Sequence, residues 1–160
     1  YSRGTSVYPP CSVVPMLSHK LSNGICSLNP NTDRLAMCYT TKFNRFGKVI
    51  DFRVEEAIIN SKKKMTYSAV NDILERDIVR DDYRDYLIDI YVMYELASII
   101  YDNFLKRGYL NFSSNECKVK LDEFGNPISI TLRECGPAQK IIEMFMIVTN
   151  IELTKYAYYE

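Results

Sequence analysis

Between Lys140 and Thr149 every side chain is apolar except Glu143. The segment opens with Gly136-Pro137 and continues QKIIEMFMIVTNIELTKYAYY, which predicts a long helix, since proline is suited to a first helical position whose N–H has no intrahelical partner. A helix that is apolar almost all round must have most of its surface covered in the full fold. A carboxylate in such a run is costly unless something pairs with it, so Glu143 is the most informative polar residue of the segment. At spacings of three and four, Gln139, Glu143, Asn150 and Thr154 fall along one stripe, with Met146 and Ile147 between. That narrow stripe reads as a thin solvent-facing edge or as the wall of a pocket, and spacing alone admits both.

Strands and further helices surround this element. Leu35, Met37, Tyr39, Thr41 and Phe43 alternate, NRFG makes a turn, and Val49 to Ile59 returns as a longer strand. A second hairpin is expected in KVKLDEFGNPISITL, with Val119 and Leu121 facing Ile128, Ile130 and Leu132. The two turns resemble each other, FNRFGKVI beside LDEFGNPI, through shared turn chemistry with a left-handed glycine and not through a repeated domain. Thr66 is placed to cap a helix in TYSAVNDILE. A longer helix is expected from about Asp82, read as its cap, with Tyr83, Leu87, Ile90, Tyr94, Ala97, Tyr101 and Phe104 recurring at steps of three and four. Lys106, Arg107 and Gly108 then supply its stop. The fold class that follows is α+β, with antiparallel hairpins packed against long helices.

At 160 residues, 47% hydrophobic and 25% charged, the chain suits one globular domain with a real core. Twenty basic and twenty acidic residues cancel, so a polyanion would need a local groove and not bulk attraction. No apolar run of 18 or more residues and no targeting pattern is present, which sets the expectation of a cytoplasmic protein without membrane partners. Cys11, Cys26, Cys38, Cys117 and Cys135 lack CxxC spacing and are odd in number, so reduced and mostly buried thiols are expected. His19, the only histidine, has no ligand or triad partner nearby and reads as a surface loop residue. Residues 1–34 read as a loop-dominated opening segment. The chain begins without methionine and stops at YAYYE inside a helix, so the expectation is a piece of a longer protein.

Within the opening segment, RGTSVYPPCSVVPML places Tyr8 directly before two prolines. Pro9 and Pro10 fix their own φ angles and push the preceding residue toward extended geometry. An aromatic held rigidly outside a helix is either a packing plug or a stacking surface.

The blocks RGTSVYPP, PML, LSNGICSLNP, DRL, EEAIINSKKKMTYSAVNDILE, RGYLNF, LDEFGNPISITLRE and IIEMFMIVTN resemble, in that order, the catalytic RNB domain of the ribonuclease II / ribonuclease R family, with the bacterial ribonuclease R branch the nearer. The resemblance implies a processive, divalent-metal-dependent 3′ to 5′ exoribonuclease that threads single-stranded RNA and releases nucleoside 5′-monophosphates. It further implies that Tyr8 and Phe112 clamp the last bases, stacking at roughly 1–3 kcal/mol per base. By the same carry-over, Tyr67 and the catalytic-site residue Glu143 lie at the terminal ribose, where a phenol and a carboxylate can hydrogen-bond a 2′-OH. Lys62, Lys63 and Lys64 read as a solvated charge run or as phosphate contacts.

Residues 1–160 are accordingly expected to be an internal fragment of one RNB domain, with the family's aspartate cluster upstream and its arginine-rich motif downstream. The Mg²⁺ ligands are expected outside this chain, which makes the isolated fragment inactive, and the parent a monomer. Asp81-Asp82 and Glu55-Glu56 do not match the aspartate cluster and read as a helix cap and a strand edge. Asn111 stands for the family's usual aspartate and Met144 for a second glutamate. A noncatalytic RNA-binding module and a protein-interaction domain rich in tyrosine, which number 13, remain the alternatives.

Overall fold

The computed structural model of the protein describes residues 4–9, 12–110, 117–132 and 135–159. Among the described residues, strands and α-helices run in the order β1 (Asp33–Phe43), β2 (Val49–Asn60), α1 (Tyr67–Arg76), α2 (Leu87–Lys106), β3 (Cys117–Leu121), β4 (Pro127–Leu132) and α3 (Pro137–Tyr159), with β1 and β2 in one sheet and β3 and β4 in another. This is the expected α+β class. The chain forms two compact units, one of residues 1–35, 58–64 and 112–134 and one of residues 36–57, 65–111 and 135–160.

In the first unit, β3 and β4 pair antiparallel with Val119 opposite Ile130 and Cys117 opposite Leu132. The strands face each other as expected, with an irregularity between Lys120 and Leu121 that sets Leu121 against Pro127. Proline has no N–H for the ladder, and it stands at the first position of its strand, where a missing donor is tolerated. The opening segment is not loop throughout, because Lys20–Ile25 forms a wide helical turn closed by Cys26 N–H donating to the Leu21 carbonyl at 3.0 Å. His19 is exposed at its start, its ring 3.3 Å from the Asn23 amide.

The two look-alike turns share one geometry. Asn44 Oδ1 accepts from the N–H groups of Phe46 and Lys48, both at 3.0 Å, and Asp122 Oδ1 accepts from those of Phe124 and Asn126 at 2.9 and 2.7 Å. Gly47 and Gly125 take φ of 71° and 85°, the left-handed region that costs other residues a Cβ clash. At Gly47 space forbids a side chain as well, since a Cβ would lie 2.7 Å from Ile99 Cγ2. The Asn126 N–H, then its side-chain amide and the Phe124 N–H, hold the Asp122 carboxyl below its ordinary value. A depressed carboxylate contributes stability above the unfolded pKa and loses it as pH falls through the folded one. Asp122→Asn keeps a carbonyl acceptor and does not titrate. The melting-temperature gap between wild type and Asp122→Asn is therefore expected to stay constant near neutral pH and shift against wild type only in strong acid. A gap that never changes with pH would refute a charged anchor.

The second unit is built on helices. Thr66 caps α1 as expected, its Oγ1 accepting from Ala69 N–H at 3.4 Å. Before α2, however, residues Asp81–Tyr86 form a 3₁₀ turn with Arg80 as its cap, so Asp82 does not cap the helix. Asp82 instead pairs with Arg80 at 3.4 Å and Asp81 with Arg84 at 3.0 Å, and the carboxylates are used by neighbouring guanidinium groups. Tyr83 is buried here, with its hydroxyl accepting from Thr66 N–H at 3.2 Å and its ring packed with Ala69, Ile73 and Ile90. A second cluster joins α2 to α3 through Ala97, Ile100, Ile141, Met144 and Val148. Tyr94, expected on the buried face, is exposed, and Ile100 takes its share of the core.

At the α3 start, Asn71 of α1 joins Gln139 in satisfying the first-turn donors. Its Oδ1 accepts from Ala138 N–H at 2.8 Å and its amide donates to Gln139 Oε1 at 3.1 Å, while Gln139 Oε1 also accepts from Gly136 N–H at 3.2 Å. These bonds satisfy orphan donors of the first turn, one of them from a neighbouring helix. Gly136 leaves room for the arrangement, because a Cβ there would collide with the Asn71 amide. On α3 the buried positions Ala138, Ile141, Met144 and Val148 form one stripe. Met146 and Ile151 are exposed, while Phe145, Ile147 and Thr149 are half-buried, so most but not all of the apolar run of α3 is covered, with α1 and α2 packed on it. The thiols also depart from expectation. None of Cys26, Cys38, Cys117 and Cys135 is in a disulfide, but three are exposed and Cys38 half-buried, since each lies on a turn, a strand of a two-stranded sheet or a helix approach with one side uncovered.

Candidate functional site

Tyr8 sits in the first unit, next to an isolated antiparallel bridge in which Val7 and Val14 exchange N–H to carbonyl bonds of 2.9 Å each. Ser12 N–H closes the turn onto the Pro9 carbonyl at 3.3 Å, and Met16 N–H donates to Ser6 Oγ at 2.9 Å. The backbone flanking Tyr8 is thus tied on both sides. Its side chain is nevertheless 75% exposed, which removes the packing-plug reading for the described residues. Phe112, expected to act with it, lies outside the described residues, as does Asn111.

Tyr67 is the first residue of α1, placed by the Thr66 cap. It lines a cleft of about 300 Å³ with Met65, Thr66, Val70, Ile90, Met93, Ala138, Ile141 and Ile142. The walls are apolar except at the Thr66 and Tyr67 hydroxyls. Among the described residues the Tyr67 hydroxyl has no hydrogen-bond partner, and the residue is 47% exposed. An apolar slot with one free phenol can hold a flat or apolar body and offer it a single hydrogen bond.

Glu143 belongs to α3 and is half-buried. Its Oε1 accepts from the Tyr109 hydroxyl at 3.3 Å, and Lys140 Nζ stands 3.4 Å from its Oε2 and 3.5 Å from its Oε1. Lys140 also lies over the Tyr101 ring at 4.3 Å. The stripe reading is therefore resolved in part: Glu143 is neither a bare edge nor buried without partners. Tyr67 and Glu143 are not brought into contact, because Ile142 lines the cleft and Glu143 is the next residue, about 100° further round the helix. Tyr67 stands at the start of α1, and Glu143 lies on a different face of α3 from the one that lines the cleft.

Tyr109 is the residue that sequence reasoning missed. The available signal was its place one step past Gly108, where a helix stop turns the following side chain back against the last turn. Lys62 donates to Asn60 Oδ1 at 3.1 Å, consistent with the solvated reading of that run. Among the described residues no group of three or more His, Cys, Asp or Glu side chains converges to hold a metal ion, so these residues do not fit a magnesium site of their own.

Comparison with known proteins supplies the remaining context. The family model described as "RNB domain" matches residues 1–160. The chain is 44% identical to ribonuclease R of Thermotoga maritima over 151 residues, covering 94% of this chain and 21% of that protein. It is 33% identical to ribonuclease R of Escherichia coli over 156 residues, covering 97% of this chain and 19% of that one. Among solved structures, RNase R of Mycoplasma genitalium superposes with a TM-score of 0.82 at 31% identity over 91% of this chain and 23% of its own, both in its apo form and in complex with ribose-methylated single-stranded RNA. The chain spans about a fifth of the length of these curated relatives.

Proposed function

The chain belongs to the RNB domain family, and on that premise we propose that it forms part of a processive 3′ to 5′ exoribonuclease that degrades single-stranded RNA to nucleoside 5′-monophosphates. The observation that carries the reading is the agreement with ribonuclease R proteins over more than nine-tenths of the chain. Within that enzyme this segment supplies the grip on the RNA 3′ end. Tyr8 stacks on a terminal base together with Phe112, and stacking suits an enzyme that must accept any sequence because every base has a π face. The exposure of Tyr8 on a tied backbone supports that role, since a preorganised ring loses little freedom on binding.

Tyr67 and Glu143 contact the terminal ribose, the first from the start of α1 and the second from α3. A phenol and a carboxylate that both retain free hydrogen-bonding capacity suit a 2′-OH, which is donor and acceptor at once. Magnesium, held by residues outside this chain, would supply an activated water and stabilise the leaving oxygen. The parent enzyme is proposed to act as a cytoplasmic monomer, and among the described residues no helix is long and apolar enough to cross a membrane.

The test is sugar discrimination in the full-length enzyme. Glu143→Gln and Tyr67→Phe are each expected to narrow the rate ratio between an RNA and a DNA 3′ end by about 5- to 20-fold, the scale of one lost hydrogen bond to the 2′-OH. Equal losses on both sugars would sink the ribose assignment.

A further inference from the structure

The geometry points to Tyr109 as the residue that positions Glu143, an inference that rests on Glu143 meeting the substrate sugar and adds how its carboxylate is aimed. The case begins at the end of α2. Gly108 takes φ of 87°, its N–H donates to the Leu105 carbonyl at 3.0 Å, and the Tyr109 N–H donates to the Phe104 carbonyl at 3.0 Å. These two bonds are the paired closure of a Schellman stop, which fixes the backbone of the residue after the glycine.

The Tyr109 side chain is then fixed by ring contacts. It lies 6.0 Å from the Phe104 ring and 6.4 Å from the Tyr101 ring, the second contact edge-to-face. With backbone and ring both held, the phenol oxygen has little freedom except rotation of its proton. It stands 3.3 Å from Glu143 Oε1. On the other side Lys140 approaches Oε1 and Oε2, and its own position is limited by the Tyr101 ring 4.3 Å below it. Tyr101 thus braces both donors. A carboxylate has about four acceptor positions, and these two donors leave some of them open to a ligand hydroxyl. The group is oriented and not sequestered.

A purely structural role for Tyr109, closing the helix end, would be filled by the ring alone. Tyr109→Phe separates the two, because it removes one oxygen and keeps the ring contacts. The experiment uses the full-length enzyme as wild type, Tyr109→Phe, Glu143→Gln and the double variant. Each is assayed for kcat and KM on a labelled oligoribonucleotide and on the same oligomer with a 2′-deoxy 3′ end. Tyr109→Phe is expected to lower the kcat ratio of ribo over deoxy substrate by about three- to tenfold with KM and melting temperature unchanged, and to add almost nothing once Glu143 is Gln. If Glu143→Gln narrows the ratio while Tyr109→Phe does not, positioning is overturned and the Glu143 assignment stands. Independent, additive losses would overturn positioning in the same way. If Glu143→Gln leaves the ratio unchanged, the ribose assignment falls and the positioning inference with it.

Discussion

Met144→Ala is expected to cost about 2–5 kcal/mol of stability, the range for emptying a well-packed methionine or leucine site. Met144 is 0% exposed and sits where α2 meets α3, against Ala97, Ile100, Ile141 and Val148. Truncation removes the transfer energy of the buried chain and leaves a cavity that two helices can close only in part. Against a usual total of roughly 5–15 kcal/mol, that loss endangers folding at body temperature. The control lies two residues on, where Met146 is 60% exposed, and Met146→Ala should change stability by less than about 0.5 kcal/mol. Denaturant unfolding of the full-length protein reads both. Similar losses at the two sites would mean that α3 presents a different face to the core.

In the full-length enzyme, Tyr8→Ala should weaken the hold on short substrates by about 10- to 100-fold, the scale of one lost base stack of roughly 1–3 kcal/mol. The smallest fragment that accumulates should become longer, because a short RNA depends on the clamp while a long one keeps its other contacts. Affinity for long RNA should change little. Phe112→Ala is expected to act in the same direction. Product ladders on a labelled oligonucleotide measure the effect, and an unaltered ladder in both variants would remove the clamp assignment.

Local rules carried the sequence reading a long way. Both hairpin turns, the Thr66 cap, the Gly108 stop and the Gly136-Pro137 start stand where their residues placed them. Each depends on φ preferences or on hydrogen bonds within about five residues, which a string of residues displays directly. The misses share a different character. Asp82 looked like a cap, but residues Asp81–Tyr86 form a 3₁₀ turn whose Tyr83 is buried against Ala69, Ile73 and Ile90 and is bonded to Thr66, so α2 begins only at Leu87. Periodicity placed Tyr94 on the core strip of α2 and did not include Ile100, yet Ile100 is the one buried, against Ile141, Met144 and Val148 of α3.

Glu143 marks the boundary between the two kinds of knowledge. An acidic residue inside an apolar run was conspicuous from composition alone, as was a tyrosine stiffened by two prolines, and the ordered blocks of the chain carried the family. What surrounds Glu143 was not legible. Tyr109 is 34 residues away and Asn71 lies 67 residues from the α3 donor it satisfies. Such pairings have no signature in spacing, because they exist only after helix packing has fixed crossing and rotation. The sequence by itself determined where the chain turns, caps and stops, and which family it resembles, since those depend on each residue's own backbone preferences and order. Only the tertiary structure decided which face of α3 is core, which holds Tyr67's cleft and which holds Glu143 against Tyr109, because those depend on side chains meeting across space.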